Sequence, residues 1–149
     1  MRSITRIKRH VMTYEECHRV GKEHHKDGGF CMVVALAVAG EIAFSRARAI
    51  LAKHAGRQHR RGLSVSAMHN LLDVMGYEVK RVIVRSKTLK TVQRELAGTS
   101  GAFFVYTNNH VSCVKDGVMQ DWARSDIRPS NKRIEQVYQI TPTDKVVRY

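Results

Sequence analysis

The stretch from Cys31 to Gly40, CMVVALAVAG, contains no side chain that needs water. Apolar on every side, it cannot lie half-exposed as an amphipathic helix does, so the fold has to enclose it. Its alanines suit a buried helix, while Val33, Val34 and Val38 leave a buried strand as the alternative. The run is too short to cross a bilayer, so the enclosure must be protein. At 149 residues and 43% hydrophobic composition, the chain has enough material to build one domain around it.

The rest of the composition narrows the setting. The start, MRSITRIKRH, is basic but runs into Thr13, Tyr14, Glu15 and Glu16 rather than an apolar signal core. Cys17, Cys31 and Cys113 are odd in number and widely spaced, which argues against a disulfide framework and for a reducing, cytoplasmic setting. There is no Cys-x-x-Cys pair for structural zinc. His24, His25, His54 and His59 lack an accompanying thiolate or carboxylate cluster. No metal or organic cofactor is expected.

Residues 1–12 read as a basic, weakly ordered arm or edge strand and 142–149 as a basic tail. A turn at Asp27-Gly28-Gly29 leads into the apolar run. A second helix is predicted from Ser45 to about His54, stopped by Gly56. A third, capped by Ser64 or Ser66, carries Met68, Leu71, Leu72 and Met75 and ends at Gly76. From Tyr77 the period changes to two, and YEVKRVIVR reads as a strand. Ser86 or Thr88 starts a short helix with Leu89, Val92 and Leu96. AFFVYT, HVSCVK, VMQDW and VYQI then read as strands. Helices first and mostly antiparallel sheet afterwards is an α+β order.

Chemistry enters with Cys31, which opens the apolar helix. A thiol at a helix N-terminus faces the positive end of the dipole and unpaired backbone N–H groups, a setting that favours the thiolate and can hold an oxyanion. The alternative is a small core hydrophobe, the usual state of a free cysteine.

The pair Asp116-Gly117 predicts a tight hairpin that pairs Lys115 with Val118, Val114 with Met119 and Cys113 with Gln120. Continuing outward opposes Ser112 to Asp121 and puts His110 on the same sheet face as that aspartate. A second turn at Asn108-Asn109 pairs Thr107 with His110. The shared face then has Phe103, Val105, Val114 and Met119 at one end, as a floor for the apolar helix, and Thr107, His110 and Asp121 at the other. An imidazole oriented by a carboxylate is what a thiol nucleophile needs.

The run from FCMVVALAVAG through LSVSAMHNLLDVMGYEVKRV to FFVYTNNHVSCVKDGVMQDW resembles the bacteriocin-processing, double-glycine leader peptidases of the papain-like superfamily. The resemblance covers roughly residues 25 to 125. It rests on the order of Cys31, Gly76-Tyr77, Thr88-Leu89, His110 and Asp121. It implies a papain-like fold, with N-terminal helices packed on a C-terminal antiparallel sheet and the nucleophile at the start of the central helix. It implies a cysteine peptidase, or a related amide or isopeptide hydrolase, using Cys31, His110 and Asp121 on a protein or peptide. Where the family carries an oxyanion-hole Gln, this chain has His25, which can donate from a ring nitrogen beside the Cys31 N–H. Met32-Val33 replaces the usual Gly-Pro after the cysteine, and Trp122 the usual Pro after the aspartate.

A net charge of +13 points to acidic partners. The cations form clusters at Arg2 to Arg9, Arg57 to Arg61, Lys80 to Lys90 and Lys132-Arg133. Arg57, Arg60 and Arg61 are candidates for contacting nucleic acid or an acidic protein. No zinc-finger, RRM or KH signature accompanies them. A catalytically inactive papain-like module that binds through this basic surface is the alternative to an enzyme.

Overall fold

The computed structural model describes residues 10–25, 30–57, 63–124 and 128–146, and within them the chain is α+β. Five helices, α1 (Tyr14–Glu23), α2 (Cys31–Gly40), α3 (Phe44–Ala55), α4 (Val65–Val74) and α5 (Leu89–Glu95), accompany five strands. The strands are β1 (Tyr77–Val82), β2 (Ala102–Thr107), β3 (His110–Lys115), β4 (Val118–Gln120) and β5 (Gln136–Pro142). They form one antiparallel sheet in the order β1-β5-β2-β3-β4. None of the helices among the described residues is long and apolar enough to cross a membrane. The predicted turn at Asp27-Gly28-Gly29 lies outside the described residues.

The apolar run is a helix, α2, and all of it except Cys31 and Ala39 is buried. It packs on Ala102, Phe104, Tyr106, Val111 and Cys113, while α1 and α3 close around it and α4 packs on α3 and β1. Phe30 and Phe44 meet edge to face, with ring centroids 5.5 Å apart, just before α2 and at the start of α3. At the far end, Lys115 Nζ donates to the Val38 carbonyl, satisfying a helix-terminal acceptor, and lies 3.6 Å from the Glu41 carboxylate.

Every residue of β2 is buried, which requires cover on both faces of the sheet. The second face carries Phe103, Val105, Val114 and Met119, packed with Leu89 and Val92 of α5 and with Leu96 at its C-terminal cap. That corrects the expected floor for the apolar helix. The side chains share a face as the register demands, but they face α5, and α2 lies on the opposite side. The alternation in β2 is apolar on both sides, so the sequence pattern does not say which helix takes which face.

The hairpin register is as read from Asp116-Gly117. Lys115 pairs with Val118, Val114 with Met119 and Cys113 with Gln120. Both turn residues have positive φ, 49° and 83°, the mirror-image turn that matches strand twist. A Cβ on Gly117 would also run into the Ala97 carbonyl. At the other end Asn109 takes φ 58° and Thr107 pairs with His110.

One expectation changes: YEVKRVIVR ends as a strand at Val82, and Ile83 is fully outside at 85% exposure. At the N-terminal side His10 N–H donates to the Glu41 carbonyl and Met12 packs on the core. At the C-terminal side Val146 is buried, and the Thr143 hydroxyl donates to the Gly76 carbonyl.

Candidate active site

Three elements deliver the three candidate groups. Cys31 is the first residue of α2, and its N–H, like those of any first helical turn, has no partner within the helix. His110 is the first residue of β3. Asp121 follows the last residue of β4. Because His110 stands at the end of its strand, its ring is reached from both sides of the sheet: by Asp121 from the α5 side and by Cys31 from the α2 side.

The carboxylate is tightly held. Asp121 Oδ2 lies 2.9 Å from His110 Nε2 and accepts from Ser112 Oγ at 2.7 Å. The Ala123 N–H approaches the same oxygen at 3.4 Å. The side chains of His110 and Asp121 are only 11% and 5% exposed, so this pairing operates at low dielectric, where it is strong. Trp122 lies over the imidazole with centroids 5.3 Å apart, and the Arg128 guanidinium sits 5.8 Å from the indole.

With Nε2 engaged by Asp121, Nδ1 remains for the thiol. Burial disfavours the His110 cation, but its hydrogen bonds to Asp121 and then to Cys31 outweigh it, and the pKa rises to about 9. Burial likewise opposes the Cys31 thiolate, yet hydrogen bonds from the His110 ring and the Val111 backbone pull its pKa below the usual thiol range. The two shifts have opposite sign and one meaning: each partner favours the charged form of the other, thiolate beside imidazolium. Cys17 and Cys113 go the other way, each pushed by burial up to about 12.

Two cavities flank the thiol. One, about 370 Å³, lies against Tyr14, His18, Lys22, Phe30 and Trp122. The other, about 520 Å³, is lined by Met32, Leu63, Val65, Tyr106, Thr107 and Glu135. Cys31, Asn109 and His110 belong to both, so the groove passes over the thiol with room on either side.

Comparisons with protein-family models, with curated proteins and with solved structures find no match to this chain. What the groove can do therefore has to be read from its own side chains.

Of the sequence candidates, Cys31, His110 and Asp121 come together. His25 does not join them. Its Nε2 is 2.8 Å from Ser45 Oγ, its ring packs on Phe44, and it is not among the described residues lining either cavity. Arg57 is 5% exposed, buried where a partner-binding cation should protrude. Arg60 and Arg61 lie outside the described residues. No three His, Cys, Asp or Glu side chains gather as a metal site among the described residues.

Sequence reading missed the wall formed by α1. Tyr14, His18 and Lys22 recur every four residues and form one stripe facing the thiol. The signal was present: Thr13-Tyr14-Glu15-Glu16 is a helix-start pattern, and the Thr13 hydroxyl accepts from the Glu16 N–H. The helix is moored beside Asp121 by Gln120 Oε1, which accepts from the Tyr14 N–H at 2.8 Å, and by an Arg124–Glu15 pair at 2.6 Å. Gly21 lets it approach, since a Cβ there would press on the Phe30 and Phe44 rings at 3.0 and 3.1 Å.

Proposed function

We propose that this chain is a cysteine peptidase, or a related amide or isopeptide hydrolase, of papain-like type, acting on a protein or peptide through Cys31, His110 and Asp121. The observation that carries the proposal is the imidazole held between a buried carboxylate and the one cysteine whose pKa falls. A thiol with no chemical task gains nothing from such a partner and usually sits as Cys17 and Cys113 do. The order of elements supports the papain-like reading: a nucleophile opening the buried central helix, followed by an antiparallel sheet that supplies the imidazole and its carboxylate.

The chemistry follows from the charges. The Cys31 thiolate attacks the carbonyl carbon, and the carbonyl oxygen becomes an oxyanion facing the Cys31 N–H at the positive end of α2. His18 and Lys22 share the cavity and can add donors to that charge in the role His25 was expected to fill. Collapse of the intermediate breaks the C–N bond while His110 gives its proton to the leaving amine, leaving a thioester on Cys31. Water then attacks the thioester, His110 takes its proton, and the acid product leaves. Asp121 keeps the ring oriented throughout and stabilises its positive form. The groove on both sides of the thiol suits a chain that continues past the cut in both directions, as a polypeptide does.

The test is a mixture of proteome-derived peptides incubated with the parent, Cys31→Ser and His110→Ala, with new termini read by mass spectrometry. New termini from the parent alone are expected, together with labelling of Cys31 by a peptide vinyl sulfone. A parent that produces neither cleavage nor label refutes the reading.

A further inference from the structure

Two basic segments far apart in the chain lie side by side in the fold. Residues 87–90 run antiparallel to 130–134: Thr88 bridges Arg133, Leu89 N–H donates to the Lys132 carbonyl, Lys90 N–H to that of Ser130, and Ile134 N–H to that of Lys87. This pairing brings the exposed Lys87 and Lys90 beside the exposed Lys132 and Arg133, with the exposed Arg94 one turn further along α5 and the exposed Arg128 two residues before the paired segment. None of the six makes an ion pair with any residue among those described. Lys90 and Arg94, four apart on α5, are exposed, away from the buried Leu89 and Val92 and the buried cap residue Leu96. Glu95, the neighbouring acid, is spent on the Arg85 and Ser86 N–H groups. Glu135 lines the second cavity.

We propose that this basic surface binds nucleic acid through its phosphates. Like charges held together without counter-charges repel one another, and a polyanion relieves that repulsion while releasing its own condensed counterions. An acidic protein is the poorer fit. Protein interfaces draw on apolar or aromatic anchors at their centre, whereas the apolar side chains of α5 are turned into the core. Arg128 lies over Trp122, so the surface leads to the rim of the first cavity. The proposal does not rest on the peptidase reading, because none of the six cations touches the thiol, the imidazole or the carboxylate.

Fluorescence anisotropy with a short mixed-sequence DNA duplex and with single-stranded RNA tests it. Six phosphate contacts predict a slope of log K against log salt of about −5 on the duplex, and a loss of roughly a thousandfold between about 50 and 200 mM salt. Lys90→Ala with Lys132→Ala should flatten the slope by about 2 and weaken binding to all sequences alike. Arg46→Ala with Lys53→Ala, on the exposed side of α3, and Cys31→Ser should leave it unchanged. Circular dichroism checks that each variant folds, and Lys90→Arg should retain the parent's affinity. The proposal is overturned by no binding at low salt, by equal loss in the α3 variant, or by polyglutamate competing as strongly as nucleic acid.

Discussion

Replacing Asp121 by Asn keeps the shape of the side chain and an oxygen able to accept from His110, but removes the charge. In the parent, His110 is raised from 6.5 to about 9 against the cost of burial, and Asp121 is the largest favourable contributor, with Cys31 second. At about 1.4 kcal/mol per unit, the net preference for the imidazolium is about 3 kcal/mol, an order-of-magnitude figure shared between the two partners. If the carboxylate supplies even a third of it, the variant loses about one unit, and the balance between the thiolate–imidazolium pair and the neutral pair falls about tenfold. Alkylation of Cys31 by iodoacetamide reads that balance directly at about pH 6, well below the range of an ordinary thiol. Site-resolved mass spectrometry carries its own controls, since Cys17 and Cys113 are buried and pushed up to about 12 and should stay unreacted. The expected result is a selective, roughly tenfold slowing at Cys31 in Asp121→Asn, and complete loss of low-pH reactivity in His110→Ala. An unchanged Cys31 rate in both variants would refute the coupling on which the site rests.

Activity should follow a bell-shaped pH profile. The acid limb belongs to Cys31, at a pH below that of a free thiol, and the alkaline limb, near pH 9, marks loss of the His110 proton needed by the leaving amine. Alkylation, which needs no general acid, should not fall on the alkaline side; if it does, His110 has been misassigned. Ser112→Ala removes the 2.7 Å hydrogen bond to a buried carboxylate and should cost about 1.5 to 3 kcal/mol in denaturant unfolding, with a smaller loss of activity than Asp121→Asn. Gly117→Ala combines a φ of 83° with a clash at the Ala97 carbonyl and should destabilise the fold by about 2 kcal/mol or more; a change under about 0.5 kcal/mol would show that the hairpin is not held as described.

Local chemistry accounts for how much of this site could be read in advance. Cys31 opening a helix, the turn at Asp116-Gly117 and the His110–Asp121 alignment all depend on residues close in sequence or on a register set by one tight turn. The missed parts depend on contacts made at a distance. His25 looked like an oxyanion donor because of its separation from Cys31, yet Ser45 and Phe44 on α3 hold its ring elsewhere. The Tyr14, His18 and Lys22 stripe faces the thiol only because Gln120 and Arg124 moor α1 beside Asp121.

Periodicity and turn chemistry are encoded within a few residues, so the element types from Cys31 onward and the α+β order were legible in the chain alone, while helix α1 was not read. Which helix covers which face of β2 was not, because a strand apolar on both sides accepts either. The same holds for charge. Composition already required an excess of cations, but whether they disperse or gather depends on which segments lie adjacent. Only the backbone pairing of residues 87–90 with 130–134 brings Lys87 and Lys90 beside Lys132 and Arg133.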